Sequence, residues 1–403
     1  MLIGSTGAGG RSIFALDVTD PDNFSGDDVL WEFNAEEVGV TIGQPTIARV
    51  AADDRWVAIF GNGYNSQSAR AQLVIVDLKS GEVVRMIDTG AGDGTAPNGL
   101  ASPVPVDIDD DRITDYVYAG DLLGNLWKFD LTSDDAEEWS VAFSGEPLFR
   151  ARDALGVGQP ITHRPAVARH PYGGQMVLFG TGKFFSEDDN AVPNDVQVQS
   201  FYGVRDQGAA LTGTRDELLQ EQTILYQGPS GDVDIAADVR VTSDDDVEWS
   251  ERYGWYMDLK YLDVRDGERV IDPPVLRTDR VVFTTLVPND DECSTGGVSW
   301  LMELDYMDGS RLPYAVFDLA DDERFDAADF IRVTLPSESN PGETETVMVS
   351  ASAIFIPAIA KAPAFLSLGY KDVKYSSLSS GHLLNVDNRL DSSNGRQSWR
   401  QLR

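Results

Sequence analysis

Residues 115–131 read Asp-Tyr-Val-Tyr-Ala-Gly-Asp-Leu-Leu-Gly-Asn-Leu-Trp-Lys-Phe-Asp-Leu. Two strand-length apolar runs, 116–121 and 124–131, flank a turn of Gly and Asp. Tyr, Val, Trp and Phe favour a pleated, half-buried surface. Gly and Asp tolerate the tight reversal between such runs. The stretch therefore predicts a β-hairpin whose first strand ends at a Gly turn and whose second closes on an Asp turn. In a strand Asn125, Trp127 and Phe129 share one face, and Leu126 and Lys128 the other. Trp127 is read as core packed between neighbouring sheets, not as a ligand-stacking ring.

The same unit recurs along the chain. Residues 58–64 lead to 73–81, and residues 177–182 lead to 200–206, each pair with Gly closing the first run and Asp near the end of the second. Further strand-length runs lie at 12–18, 56–60, 176–179, 255–259, 281–286 and 299–304. Helical periodicity is almost absent, the best candidate being 214–222, two turns at most. With 37 Gly and 19 Pro, the pattern predicts an all-β chain. Hairpins repeating every few tens of residues predict a β-propeller of about seven blades of antiparallel strands. An irregular sandwich or two small β domains is the alternative. No linker divides the chain, so 1–403 is read as a single propeller domain with long loop insertions at 91–102, 187–198 and 207–248. The last of these ends in the acidic run 243–248, read as a solvated loop.

Composition narrows the function. Lys plus Arg is 32 and Asp plus Glu is 67, a net charge of 32 − 67 = −35 over 403 residues. Phosphate binding needs a basic face, so nucleic acid is excluded as a partner. An anionic membrane surface is disfavoured on the same ground, whereas cation binding and solubility in salt are favoured. Only 7 of the 32 basic residues are Lys, which leans towards a saline habitat. The lone Cys293 excludes an internal disulfide framework and a Cys-rich zinc site and is read as an ordinary loop residue. His163, His170 and His382 stand too far apart for a local metal motif, and His163 and His170, both in turn-like contexts, are assigned structural roles. The opening Met1-Leu-Ile-Gly has no basic start or apolar core of signal-peptide length. No stretch of about 18 clean apolar residues suggests a spanning helix, so the chain reads as soluble and without direct membrane insertion. It also reads as though it begins inside a strand-rich domain.

The segment that carries chemistry is Asp107-Ile-Asp-Asp-Asp-Arg-Ile-Thr-Asp115. Carboxylates fall at positions 1, 3, 5 and 9 (Asp107, Asp109, Asp111 and Asp115). Alternate residues of a curling loop point at one centre, and a hard cation needs six to eight oxygens. Ile113 at position 7 would offer its backbone carbonyl. Without a cation, four such carboxylates would repel one another strongly. These residues predict a Ca²⁺ site. Mg²⁺ fits less well because it keeps several waters, and zinc is unlikely without His or Cys. The loop departs from the helix–loop–helix calcium loop in having strand-like flanks, Tyr118 at position 12, and Arg112 at position 6, where Gly normally permits a positive φ. A second stretch, 318–326, has acids at positions 1, 5 and 9 but Ala320 at position 3, and is read as a degenerate loop. No nucleophile elbow, zinc-protease motif or phosphate loop occurs, so no catalytic residues are assigned and the chain is read as a non-enzyme.

Several of these segments, in this order, resemble the C-terminal β-propeller of the PilC/PilY family of type IV pilus tip-associated proteins. They are 7–21, 60–65, the block 97–131 that contains the acidic loop, 161–167, 179–184, 299–305 and 395–401. The resemblance implies an exported protein at the pilus tip, cell surface or periplasm. It implies a part in pilus assembly, in extension against retraction, in motility and in adhesion, with minor pilins and host or surface ligands as partners. The family's calcium-loop spacing carries the ligand roles to Asp107, Asp109, Asp111, Ile113 and Asp115. The family's larger members add an N-terminal region with no counterpart here. The segment 119–127 is also similar to the blade-closing motif of quinoprotein dehydrogenases, making a calcium- and quinone-dependent periplasmic dehydrogenase the alternative. Those enzymes stack their quinone on a ring of adjacent disulfide-bonded cysteines, which a single Cys cannot form. A non-catalytic scaffold of outer-membrane assembly is the third reading.

Overall fold

The computed structural model describes residues 1–193, 195–231, 237–289, 296–336, 342–369 and 371–390. Cys293 and the segment 395–401 lie outside them. The hairpin of the opening stretch forms as expected. Tyr116–Gly120 pairs antiparallel with Asn125–Asp130, with Gly120 opposite Leu126 and Tyr116 opposite Asp130. Gly124 turns the chain at φ 83°, and a Cβ there would lie 2.6 Å from the Ala151 carbonyl oxygen. The buried Asp121 carboxylate holds the turn. It accepts from the backbone N–H groups of Leu123 and Asn125, and from the side chains of Asn98, Asn125 and Trp127 at 2.8 Å. Five donors offset part of the cost of burying one charge, and burial still holds the carboxyl above its ordinary range.

Trp127 is core, as its face predicts. It packs with Val57, Ile59, Leu73 and Ile75 of the preceding sheet, while Tyr118 and Leu126 pack against Val177, Phe179 and Tyr202 of the following one. A sheet buried on both faces against its neighbours is the packing of a propeller blade.

Six antiparallel meanders are separable among the described residues, where chain length suggested about seven blades. They cover 2–33, 46–88, 104–150, 166–261, 275–356 and 364–389, the fourth including one parallel pairing and the fifth carrying the separate hairpin of Ile331–Pro336 and Thr344–Val349. The first strands of the second to fifth meanders touch in succession: Thr46–Val50, Val104–Val106, Ala166–Arg169 and Val275–Arg277. They are therefore the inner strands. A sequence signal for them went unread. Pro45, Pro103, Pro165, Pro274 and Pro363 each stand directly before the first strand of a meander. Proline lacks an N–H, suits the start of a strand and holds the residue before it extended.

Two local expectations are corrected. The helix expected over 214–222 is one turn, Arg215–Leu218, capped by Thr214. The chain then leaves it to pair Gln220–Pro229 in parallel with Gly254–Tyr261, so sheet pairing overrides a weak helical propensity. The insertion expected at 207–248 is likewise not a plain loop. Gln220–Pro229 and Asp238–Thr242 form a hairpin whose second strand pairs with Ala353–Ile356, joining the fourth and fifth meanders into one sheet. The tip Asp244, Asp245 and Asp246 is exposed as expected. No described helix is long and apolar enough to cross a membrane.

One buried acid makes stability depend on pH. Burial, then the charges of Asp308 and Asp279, push Asp305 up to about 6. A raised carboxyl contributes stability that is fully present below its unfolded value and is lost as pH rises through about 6. Asp305→Asn should therefore remove a decline of about 2 kcal/mol between pH ~4 and ~7. Denaturant midpoints across that range check it; an unchanged slope would overturn it.

Candidate metal centre

The acidic loop joins the inner strand Val104–Val106 to Tyr116–Gly120 of the third meander. Its curl is set by its own first residue. The Asp107 carboxylate accepts from the N–H groups of Asp110 and Arg112, both at 2.7 Å. The Asp115 carboxylate accepts from the Ile108 N–H at 2.8 Å, closing the loop from its far end. This wrapping needs left-handed backbone at Asp110 (φ 67°) and Arg112 (φ 72°). Asp adopts that conformation more readily than most residues; Arg does not. The strain anticipated at position 6 is thus present. Arg112→Gly should stabilise the loop by about 0.5–1 kcal/mol, read as a rise in melting temperature. No rise, or a fall, would contradict it.

Carboxylate oxygens of Asp107, Asp109 and Asp115 all lie within 4.8 Å of one another, the one such cluster among the described residues. Asp111 stands outside this triple, and its carboxylate accepts from the Ile113 N–H at 2.7 Å. The electrostatics fit a cation. Burial and the charges of Asp109, Asp107 and Asp111 raise the Asp115 carboxyl above the usual range. Burial opposes the Asp107 charge as well, but backbone donors led by Arg112 and Asp110 outweigh it and hold that carboxyl low. A divalent ion would relieve the mutual repulsion that Asp115 reports.

The loop is clamped to both neighbouring blades. Thr114 N–H donates to the Arg49 carbonyl at 2.8 Å. Arg169 of the fourth meander donates to the Ile108 carbonyl and pairs with Asp110, both at 2.9 Å. Sequence reasoning missed Arg169, because nothing local links it to a loop 60 residues earlier in the chain (169 − 109 = 60).

The second acidic stretch curls the same way, with Asp321 at φ 52° and Glu323 at φ 62°. Asp318 accepts from the N–H groups of Asp322 and Glu323. Asp326 caps the short turn Ala327–Asp329. Asp329, which sequence reasoning passed over, accepts from the Leu319 N–H at 2.8 Å as Asp115 does from Ile108. These carboxylates form no three-membered cluster among the described residues. His163 and His170 are buried, as structural roles require, and His382 is exposed. Buried His163 accepts from the Gly180 N–H at 3.3 Å, and burial keeps it neutral by lowering its pKa.

Stacked antiparallel meanders around a ring of inner strands, with an acidic loop rising from one of them, define the class as an all-β propeller bearing a candidate cation loop. The chain belongs to the PilY1 β-propeller family: residues 1–230 match the family model of the PilY1 beta-propeller domain. It is 37% identical over 353 residues to the type IV pilus biogenesis factor PilY1 of Pseudomonas aeruginosa, covering 79% of this chain and 30% of that protein. It is 39% identical over 328 residues to a PilY1 homologue of Xylella fastidiosa, covering 77% and 22%. The chain thus spans under a third of the length of these curated relatives. The crystal structure of the P. aeruginosa PilY1 C-terminal domain superposes with a TM-score of 0.81 at 32% identity, covering 96% of this chain and 79% of that one.

Proposed function

We propose that this chain is the calcium-binding propeller of a type IV pilus biogenesis protein. The reading is carried by the convergence of Asp107, Asp109 and Asp115 on one point, in a chain of the PilY1 family. Asp111 and the Ile113 carbonyl complete the proposed ligand set. A bound Ca²⁺ would neutralise a cluster whose Asp115 is already held above its ordinary pKa. The clamps from Arg49 and Arg169 would carry the ordered loop's geometry into the second and fourth meanders.

In the whole protein the propeller would act outside the cytoplasm, at the pilus tip, cell surface or periplasm. It would contact minor pilins, support assembly, bias extension against retraction and contribute to surface adhesion. The proposed role is non-enzymatic. Pilus retraction measured in cells carrying Asp115→Ala in the full-length protein tests the functional half. Retraction and surface piliation equal to wild type, with calcium binding lost, would separate the metal from the pilus role and overturn the coupling.

A further inference from the structure

A cavity of 280 Å³ lies where the approaches to five meanders meet, at the ends of the inner strands away from the acidic loop. Gln44, Ser102, Arg164, Pro273 and Lys361 line it, one from each. The first four directly precede a proline, and Lys361 stands two residues before Pro363. The volume is at the lower end of the ~300–1,000 Å³ typical of small-molecule sites.

Its polar groups are unevenly matched. Lys361 pairs with Asp272 at 3.0 Å, but the other Asp272 oxygen is buried without a partner. Arg164 is half-buried, and its guanidinium makes no ion pair or hydrogen bond with any described residue. An unpaired cation is unexpected in a chain of net charge −35, because semi-buried charges normally find partners. One wall is flat and apolar: the Tyr64 ring stacks on Phe185 at 4.7 Å and 11°.

We propose that this axial cavity binds a carboxylate on Arg164, carried by a molecule with a flat apolar group against the Tyr64–Phe185 pair and an N–H donor for Asp272. The guanidinium fork matches a carboxylate in two parallel hydrogen bonds. The C-terminal end of a peptide chain has this combination; an acidic sugar has the carboxylate without the flat group. The cavity sits at the opposite end of the inner strands from the acidic loop, so the proposal stands apart from the calcium reading.

Calorimetric titration with N-acetylphenylalanine, N-acetylphenylalanine amide and glucuronate tests it. The acid should bind at millimolar concentration or better, and the amide at least tenfold more weakly. Arg164→Gln should lose tenfold or more for the acid and nothing for the amide. Phe185→Ala, at a partly exposed position, should weaken the acid severalfold while the protein remains folded by thermal melt. Preference for glucuronate over the acid would assign the site to sugars and overturn the peptide-end assignment. Equal binding of acid and amide, unchanged binding by Arg164→Gln, or no binding of any probe would overturn the proposal itself.

Discussion

Glu268→Ala is expected to cost about 3–5 kcal/mol of stability. The Glu268 carboxylate and the Arg240 guanidinium are both almost wholly buried and join through two parallel hydrogen bonds of 2.6 and 2.7 Å. Arg240 also donates to Gln227 at 2.8 Å and lies 4.1 Å over the Trp300 ring. The pair links the inserted strand Asp238–Thr242 to the segment entering the fifth meander. Alanine at 268 leaves the guanidinium out of water with the Gln227 oxygen, the Met302 sulfur, the Trp300 ring and the more distant charge of Asp266 for company. The mechanism predicts more than a loss. Glu268→Gln, which keeps one acceptor, should cost less than alanine. Arg240→Met combined with Glu268→Met should recover most of the stability, because removing both charges also removes their desolvation cost. Urea unfolding of the four proteins checks the order. A loss for Glu268→Ala below about 1 kcal/mol, the range of surface pairs, would show that the pair is not buried in solution.

Calcium should raise the stability of the wild-type chain and leave that of Asp115→Ala unchanged. An ion that binds only the folded state adds about 2.7 kcal/mol at a hundred times its dissociation constant. Sensor loops bind at roughly 10⁻⁷–10⁻⁵ M and extracellular modules at 10⁻⁴–10⁻³ M. Several carboxylates favour the tighter range, while strain at Arg112 and the lack of a position-12 acid favour the weaker. Micromolar to sub-millimolar affinity is expected, rising in Arg112→Gly. Asp115 is the informative position because it belongs to the converging triple and also holds the Ile108 N–H. Without calcium, Asp115→Ala should fold, since the buried clusters between blades exclude the loop. Protons compete at a carboxyl whose pKa is raised, so binding should weaken as pH falls into the acid range. Equal calcium binding by the wild type and Asp115→Ala would place any site elsewhere.

Much of this was legible before any coordinates. Val, Tyr, Trp and Phe in short runs, with Gly and Asp between them, determine hairpins through interactions a few residues apart. The Gly120–Gly124 turn, the buried face of Trp127 and the all-β class all follow from that local chemistry. The acidic loop was equally local, with Asp107 bonding to Asp110 and Arg112 and thereby requiring the positive φ that Arg112 resists. The prolines before the inner strands were legible too, though unread, because each acts on its immediate neighbour.

The tertiary structure alone decided what depends on distant residues. Arg169 reaches the acidic loop only because adjacent blades stack. The 220–242 hairpin becomes sheet rather than loop because Gly254–Tyr261 and Ala353–Ile356 offer it unpaired edges. Among the described residues Arg164 makes no ion pair, although the approaches to five meanders, Asp272 among them, meet in the same cavity. Such contacts form between segments tens to hundreds of residues apart. Their register is fixed by side-chain packing across blades, on which local propensity and spacing are silent.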